Sequence, residues 1–193
     1  EGNFDDAQTG VKRIFNDETF AEKLAGYGCK LSSANSINIG RLIPQVAYYV
    51  YGYVKLVERG VIADGDKVNI VVPTGNFGNI LAAYYAGKMG IPVNRFICAS
   101  NKNKVLTDFF ETGVYDTNRE FYLTNSPSMD ILISSNLERL LYHLAGNDGG
   151  EIRRLMDQLE SDKRYQVSDV IRKGMESFYG GFATVDETNA AIG

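Results

Sequence analysis

The chain has 193 residues, 44% apolar and 23% charged, with a formal net charge of −4, a profile of one large globular domain or one domain plus part of another. The mild acidity argues against a nucleic-acid surface, and no apolar run reaches the ~18 residues of a membrane span. Cys29 and Cys98 lie far apart at no metal-ligand spacing, so the expectation is two buried thiols in a reducing, cytoplasmic compartment, with no metal, nucleic-acid or membrane partner.

In chain order, Asp5 to Phe15 and Glu18 to Leu24 read as two short helices, and Lys30 to Ser33 as a brief extended segment. A long helix is predicted from Arg41 to Arg59, with Pro44 in its first turn, a buried stripe of Val46, Val50, Tyr53 and Val57, and Gly60 as its cap. Tyr48, Tyr49 and Tyr51 are expected to pack against it as well. Val68 to Val72 is a β-branched run built for a buried parallel strand, ended by Pro73, which cannot donate to a sheet ladder. A helix from Asn79 to Lys88 and a second strand from Arg95 to Ala99 follow, and this order implies a right-handed parallel α/β core. Val105 to Glu111 is a short helix stopped by Gly113. Beyond Ser126 three amphipathic helices are predicted: one through Ile133, Leu137, Leu140, Leu141 and Leu144, one through Ile152 to Leu159, and one capped by Ser168 that carries Val170, Ile171, Met175 and Phe178. Thr184-Val-Asp-Glu187 is a capping box, the signal of a helix starting.

The strand-to-helix turn Pro73-Thr-Gly-Asn-Phe-Gly-Asn79 carries the most chemical information. Gly75 and Gly78 permit φ > 0 and close backbone approach, and the free N–H groups of a helix N-terminus attract an anion. Gly78 is followed by Asn79 rather than by the Lys-Ser/Thr of a nucleotide-triphosphate loop, and the third glycine and downstream acid of a dinucleotide site are missing. What fits is a cradle of backbone and neutral side chains (Thr74, Asn76, Asn79) suited to one phosphate monoester. A plain α/β turn without ligand is the competing reading.

This turn, together with Ser33-Ala-Asn-Ser-Ile-Asn-Ile-Gly-Arg41, Glu1-Gly-Asn-Phe-Asp-Asp-Ala-Gln8, Ser126-Pro-Ser-Met-Asp-Ile131 and Leu132-Ile-Ser-Ser-Asn-Leu-Glu-Arg-Leu140, resembles the threonine synthase family. The matches run in family order over nearly the whole chain. The resemblance implies a pyridoxal-phosphate enzyme of the tryptophan-synthase-β type, fold type II, converting O-phospho-L-homoserine and water to L-threonine and phosphate. It implies Gly75, Asn76, Phe77, Gly78 and Asn79 at the cofactor phosphate, and Asn35, Ser36, Asn38 and Arg41 at the substrate. Another lyase of the same cofactor family, such as a threonine dehydratase, and a non-catalytic phosphate-binding module remain as alternatives.

Each candidate also has a structural alternative. Asn38 is well placed as a helix N-cap, and Phe77 as a core anchor. Asp130 reads as a helix N-terminal charge or as a group approaching the cleft, and His143 as a structural histidine. The family's Schiff-base lysine sits in a Phe-Lys-Asp context, and none of the ten lysines here is flanked by Phe and Asp. The chain is therefore expected to be a piece, incomplete at both ends, with residues 1–34 from a smaller lobe, 35–127 the cradle core, 128–183 a helical insertion and 184–193 the start of a truncated helix. Open sheet edges in such a piece imply self-association.

Overall fold

The structure, a computed structural model, describes residues 4–34 and 36–193. Two helices come first, α1 (Phe4–Phe15) and α2 (Glu18–Gly26), the second capped by Asp17, whose carboxylate accepts from the Phe20 amide. No residue of α2 is buried. The predicted extended segment at Lys30 to Ser33 forms no strand.

The predicted long helix is three pieces: α3 (Ile39–Leu42), a 3₁₀ turn (Ile43–Gln45) and α4 (Val46–Glu58). Pro44 explains the break, since it has no amide to donate and its ring crowds the preceding turn. On α4, Val46 and Tyr53 are buried and Val50 and Val57 half-buried, as the stripe requires. Tyr48 and Tyr51, expected against the helix core, stand in solvent instead because they project from its opposite face. Gly60, at φ +66, ends the helix, its amide donating to the Val57 carbonyl.

Strand β1 (Val68–Pro73) leads into α5 (Gly78–Lys88), then β2 (Val93–Ser100) and α6 (Val105–Thr112), which ends at Gly113 with φ +76. Helix α5 is the centre of the molecule: Gly78, Ile80 to Tyr84 and Ala86 are all buried. Its small residues let it pack closely between α4 and the sheet. A second, two-stranded sheet pairs β3 (Val114–Asp116) antiparallel with β4 (Arg164–Gln166), with the rings of Tyr115 and Tyr165 stacked at 5.3 Å.

The remaining helices are α7 (Leu137–Leu144), α8 (Gly149–Asp162), α9 (Asp169–Gly174) and α10 (Val185–Ile192). Ile133, predicted on the first of these, lies outside α7 and is exposed. Thr184 and Glu187 form both halves of the capping box at α10. Phe178 is not on a helix: it opens strand β5 (Phe178–Phe182), which pairs parallel with β2. The main sheet thus has the order β1-β2-β5, all parallel. The two glycines of β5 hid the strand in the sequence. Gly180 lets it pass against α6, where a Cβ would sit 2.3 Å from the Thr107 Cα.

Strand β1 is covered on one face only, so its residues alternate between half-buried or buried (Val68, Ile70, Val72) and exposed (Asn69, Val71), rather than being covered on both sides. Of the two cysteines, Cys98 is buried as expected, but Cys29 is exposed.

Candidate phosphate cradle and its surroundings

The carboxyl end of β1 runs into the amino end of α5 through Thr74 to Phe77. This is where ligands bind in open parallel sheets. Thr74 is fixed first: its amide donates to the Ala99 carbonyl of β2 and its hydroxyl to the Val72 carbonyl. The next two carbonyls are turned away from the helix end. Ser134 Oγ donates to the Gly75 carbonyl at 2.8 Å, and Asn136 donates to the Asn76 carbonyl from Nδ2 at 2.9 Å and from its backbone amide at 3.1 Å. The first amides of α5 have no partner within a helix by construction.

The left-handed residue of the turn is Phe77, with φ +64, and neither Gly75 nor Gly78 adopts positive φ. A non-glycine residue there costs about 1–2 kcal/mol. Its fully buried ring offsets that cost, lying 6.0 Å from the ring of Phe110 and 6.2 Å from that of Phe178. The glycines answer to crowding instead. A Cβ on Gly75 would lie 2.7 Å from the Ser128 carbonyl oxygen, and one on Gly78 would lie 2.4 Å from both Ser36 Cβ and Ser36 Oγ.

The result is a cavity of about 220 Å³ lined by Ser36, Gln45 and the run from Val72 to Ile80, without a charged side chain. Asn79 at its rim is exposed, and the Tyr49 hydroxyl donates to its side-chain and backbone oxygens. Burial pushes the Tyr49 phenol up to about 12, so it stays a donor. Asn76 Oδ1 is buried and unpartnered among the described residues.

The structure brings Ser36 to the cradle and places Asn38 beside it as the N-cap of α3. Asn38 Oδ1 accepts from the Gly40 amide at 2.9 Å, and Nδ2 donates to Ser32 Oγ and the Ser33 carbonyl, both at 3.0 Å. Its side chain is spent on holding the loop. Arg41 is exposed in the last turn of α3, and Asn35 lies outside the described residues.

Asp130 is neither a helix charge nor a cleft group. It is buried and accepts from Asn101 Nδ2 at 2.7 Å, Asn103 Nδ2 at 3.1 Å, the Thr124 amide at 2.9 Å and Thr124 Oγ1 at 2.8 Å. It thereby pins the turn whose Ser128 carbonyl abuts Gly75. His143 is exposed, with its ring nitrogen 3.1 Å from the Tyr85 hydroxyl, and no metal-binding cluster occurs among the described residues. Ser134, Asn136 and Arg139 frame the cradle, yet in the sequence they stand out only as members of the Leu132–Leu140 motif.

No family model matches the chain. Among curated proteins it is 52% identical to threonine synthase-like 1 of Macaca fascicularis, over 100% of this chain and 26% of that protein. It is 38% identical to threonine synthase of Saccharomyces cerevisiae, over 99% of this chain and 38% of that one. Among solved structures, pyridoxal-phosphate-bound threonine synthase from Brucella melitensis superposes with TM-score 0.85 at 43% identity, covering 100% of this chain and 39% of that one. The chain spans about a quarter of the length of the threonine synthase-like 1 proteins it matches. By sequence and by fold, these 193 residues belong to the threonine synthase family, as a segment of its longer members.

Proposed function

We propose that this chain holds the cofactor phosphate and part of the substrate wall of a pyridoxal-phosphate-dependent lyase, and that the whole protein converts O-phospho-L-homoserine and water to L-threonine and phosphate. The observation that carries this reading is the uncharged cradle at the end of β1, in a chain similar along its whole length to a pyridoxal-phosphate-bound threonine synthase. The residues suit a phosphate monoester: two positions where a Cβ would clash and carbonyls drawn aside by Ser134 and Asn136.

In this reading the amides of Gly75, Asn76, Phe77, Gly78 and Asn79 donate to the cofactor phosphate, helped by the dipole of α5. Phe77 contributes only its backbone, since its ring is the anchor. Ser36, Arg41 and Asn35 form the substrate side, with Asn38 holding their loop in place and Arg41 free to make a bidentate pair with the substrate phosphate. When bound, pyridoxal phosphate supplies the electron sink that lets the substrate lose its Cα proton. The Schiff-base lysine and the partner of the pyridine nitrogen come from the remainder of the protein. In the same proposal, residues 1–34 close a smaller lobe, 35–127 form the cradle core, 128–183 decorate it apart from β5, and 184–193 begin a further helix. A cytoplasmic location belongs to the proposal too; no helix among the described residues is long and apolar enough to cross a membrane.

A second reading is favoured by the greater similarity to proteins named threonine synthase-like 1 than to those named threonine synthase. Here the cradle is the same, and the whole protein is another lyase of the same cofactor family, with a product other than threonine. The test is to supply the full-length protein with O-phospho-L-homoserine and measure phosphate and amino acids together. Equal amounts of phosphate and threonine support the first reading, phosphate without threonine the second, and neither product would overturn both.

A further inference from the structure

The Ser36 segment and the Asn76 turn meet at one fully buried side chain, a hundred residues beyond Ser36. Asn136 Nδ2 donates to Ser36 Oγ at 3.0 Å and to the Asn76 carbonyl at 2.9 Å. Its Oδ1 accepts from Arg139 Nη1 at 2.8 Å, so both ends of the amide are used. Arg139 Nη1 also donates to the Ser36 carbonyl at 3.0 Å, and Nη2 donates to the Ile37 carbonyl. One guanidinium thus reaches three oxygens, Nη1 donating to two of them and Nη2 to the third, from a fixed fork of donors. The close packing of Ser36 on Gly78 shows that the joined segments are in contact, not merely bridged.

We propose that Asn136 and Arg139 are positioning residues that lock the Ser36–Arg41 segment onto the Asn76 turn, so that the phosphate cradle and the substrate wall are set as one piece. The proposal rests on reading the Gly75–Asn79 turn as the phosphate cradle. Neither residue lines the cavity, so each acts through the groups it holds. Asn136 grips both segments. Arg139 grips only the substrate side and Asn136 itself. Their loss therefore has different signatures: without Arg139 the wall drifts while the cradle stays, and without Asn136 both loosen.

The test uses the full-length protein with Arg139→Met, Arg139→Lys and Asn136→Ala. In the cofactor-free protein, hydrogen exchange reads the lock directly. The amides of Arg41 and Leu42, which donate to the Asn38 carbonyl, should exchange about tenfold faster in Arg139→Met, with the β2 amides unchanged. In the loaded protein, Arg139→Met should raise the KM for the phosphorylated substrate about tenfold, with cofactor affinity and kcat within about threefold of wild type, and Arg139→Lys should recover part of the loss. Asn136→Ala should weaken pyridoxal phosphate binding as well. Unchanged exchange at Arg41 and Leu42 in a folded Arg139→Met protein would overturn the lock. So would a KM rise matched by an equal loss of cofactor affinity. Failure of the wild-type protein to bind pyridoxal phosphate would instead overturn the cradle reading, while the exchange data still decide the lock.

Discussion

The ring of Phe77 lies 6.2 Å from the ring of Phe178, so the residue that bends the cradle turn into the left-handed region is anchored on the last strand of the main sheet. Phe178 also stacks on Phe96 at 4.8 Å and on Phe110 at 5.5 Å. Phe178→Ala should cost about 3–5 kcal/mol of stability and release Phe77 from its strained conformation. Denaturant melts and pyridoxal phosphate titration of the full-length protein check this. A stable variant with wild-type cofactor affinity would show that the turn holds its shape without that ring.

Gly78→Val should abolish cofactor binding, because its side chain would have to displace Ser36 from the mouth of the cavity. Arg41→Ala, far less constrained, should spare cofactor binding and raise the substrate KM. Cofactor titrations of both variants separate the two effects, and retention of affinity in Gly78→Val would sink the cradle assignment.

Asp130→Ala should destabilise by about 1–3 kcal/mol, since it strands the donors of buried Asn101, Asn103 and half-buried Thr124. The damage should reach the cradle through the Ser128 carbonyl beside Gly75. Urea unfolding gives the stability term, and cofactor affinity near saturation gives the local one. Equal stability of Asp130→Ala and wild type would contradict the network.

Burial pushes the Cys98 thiol from 9.0 up to about 12 and the Tyr49 phenol from 10.0 up to about 12, and raises the Tyr165 phenol well above its usual value. In each case the folded pKa exceeds the unfolded one. The unfolded chain then loses these protons first as pH rises, and stability falls. Stability should be insensitive to these groups below about pH 9 and decline between about pH 9 and pH 12. Denaturant midpoints across that range provide the check. At pH 8 a thiol reagent should modify exposed Cys29 quickly and Cys98 only on unfolding.

The 193-residue chain taken alone should be catalytically inactive and prone to associate. None of its lysines has the Phe and Asp neighbours expected of the family's Schiff-base lysine. Strands β1 and β5 are both sheet edges, Val71 is 61% exposed, and an apolar groove of about 870 Å³ runs between α4 and α5. Light scattering and binding of an apolar dye test the association. A clean monomer that binds no dye and melts cooperatively would contradict it.

Short-range chemistry was enough to place the cradle in the sequence. The β-branched run before Pro73, the two glycines and the helical spacing after Asn79 each act within a few residues, and the structure has β1, the turn and α5 where they point. The N-cap at Asn38 and the capping box at Thr184 were legible for the same reason. Tertiary structure alone decided the rest. It moved positive φ from the glycines to Phe77, because an aromatic cluster could hold that residue there, and left the glycines to make room for Ser36 and Ser128. It made Phe178 the start of a strand, because β2 offered an open edge. It set the partners of Asn136, Arg139 and Asp130, because a hydrogen bond to a residue as far as 103 positions away leaves no trace in local periodicity.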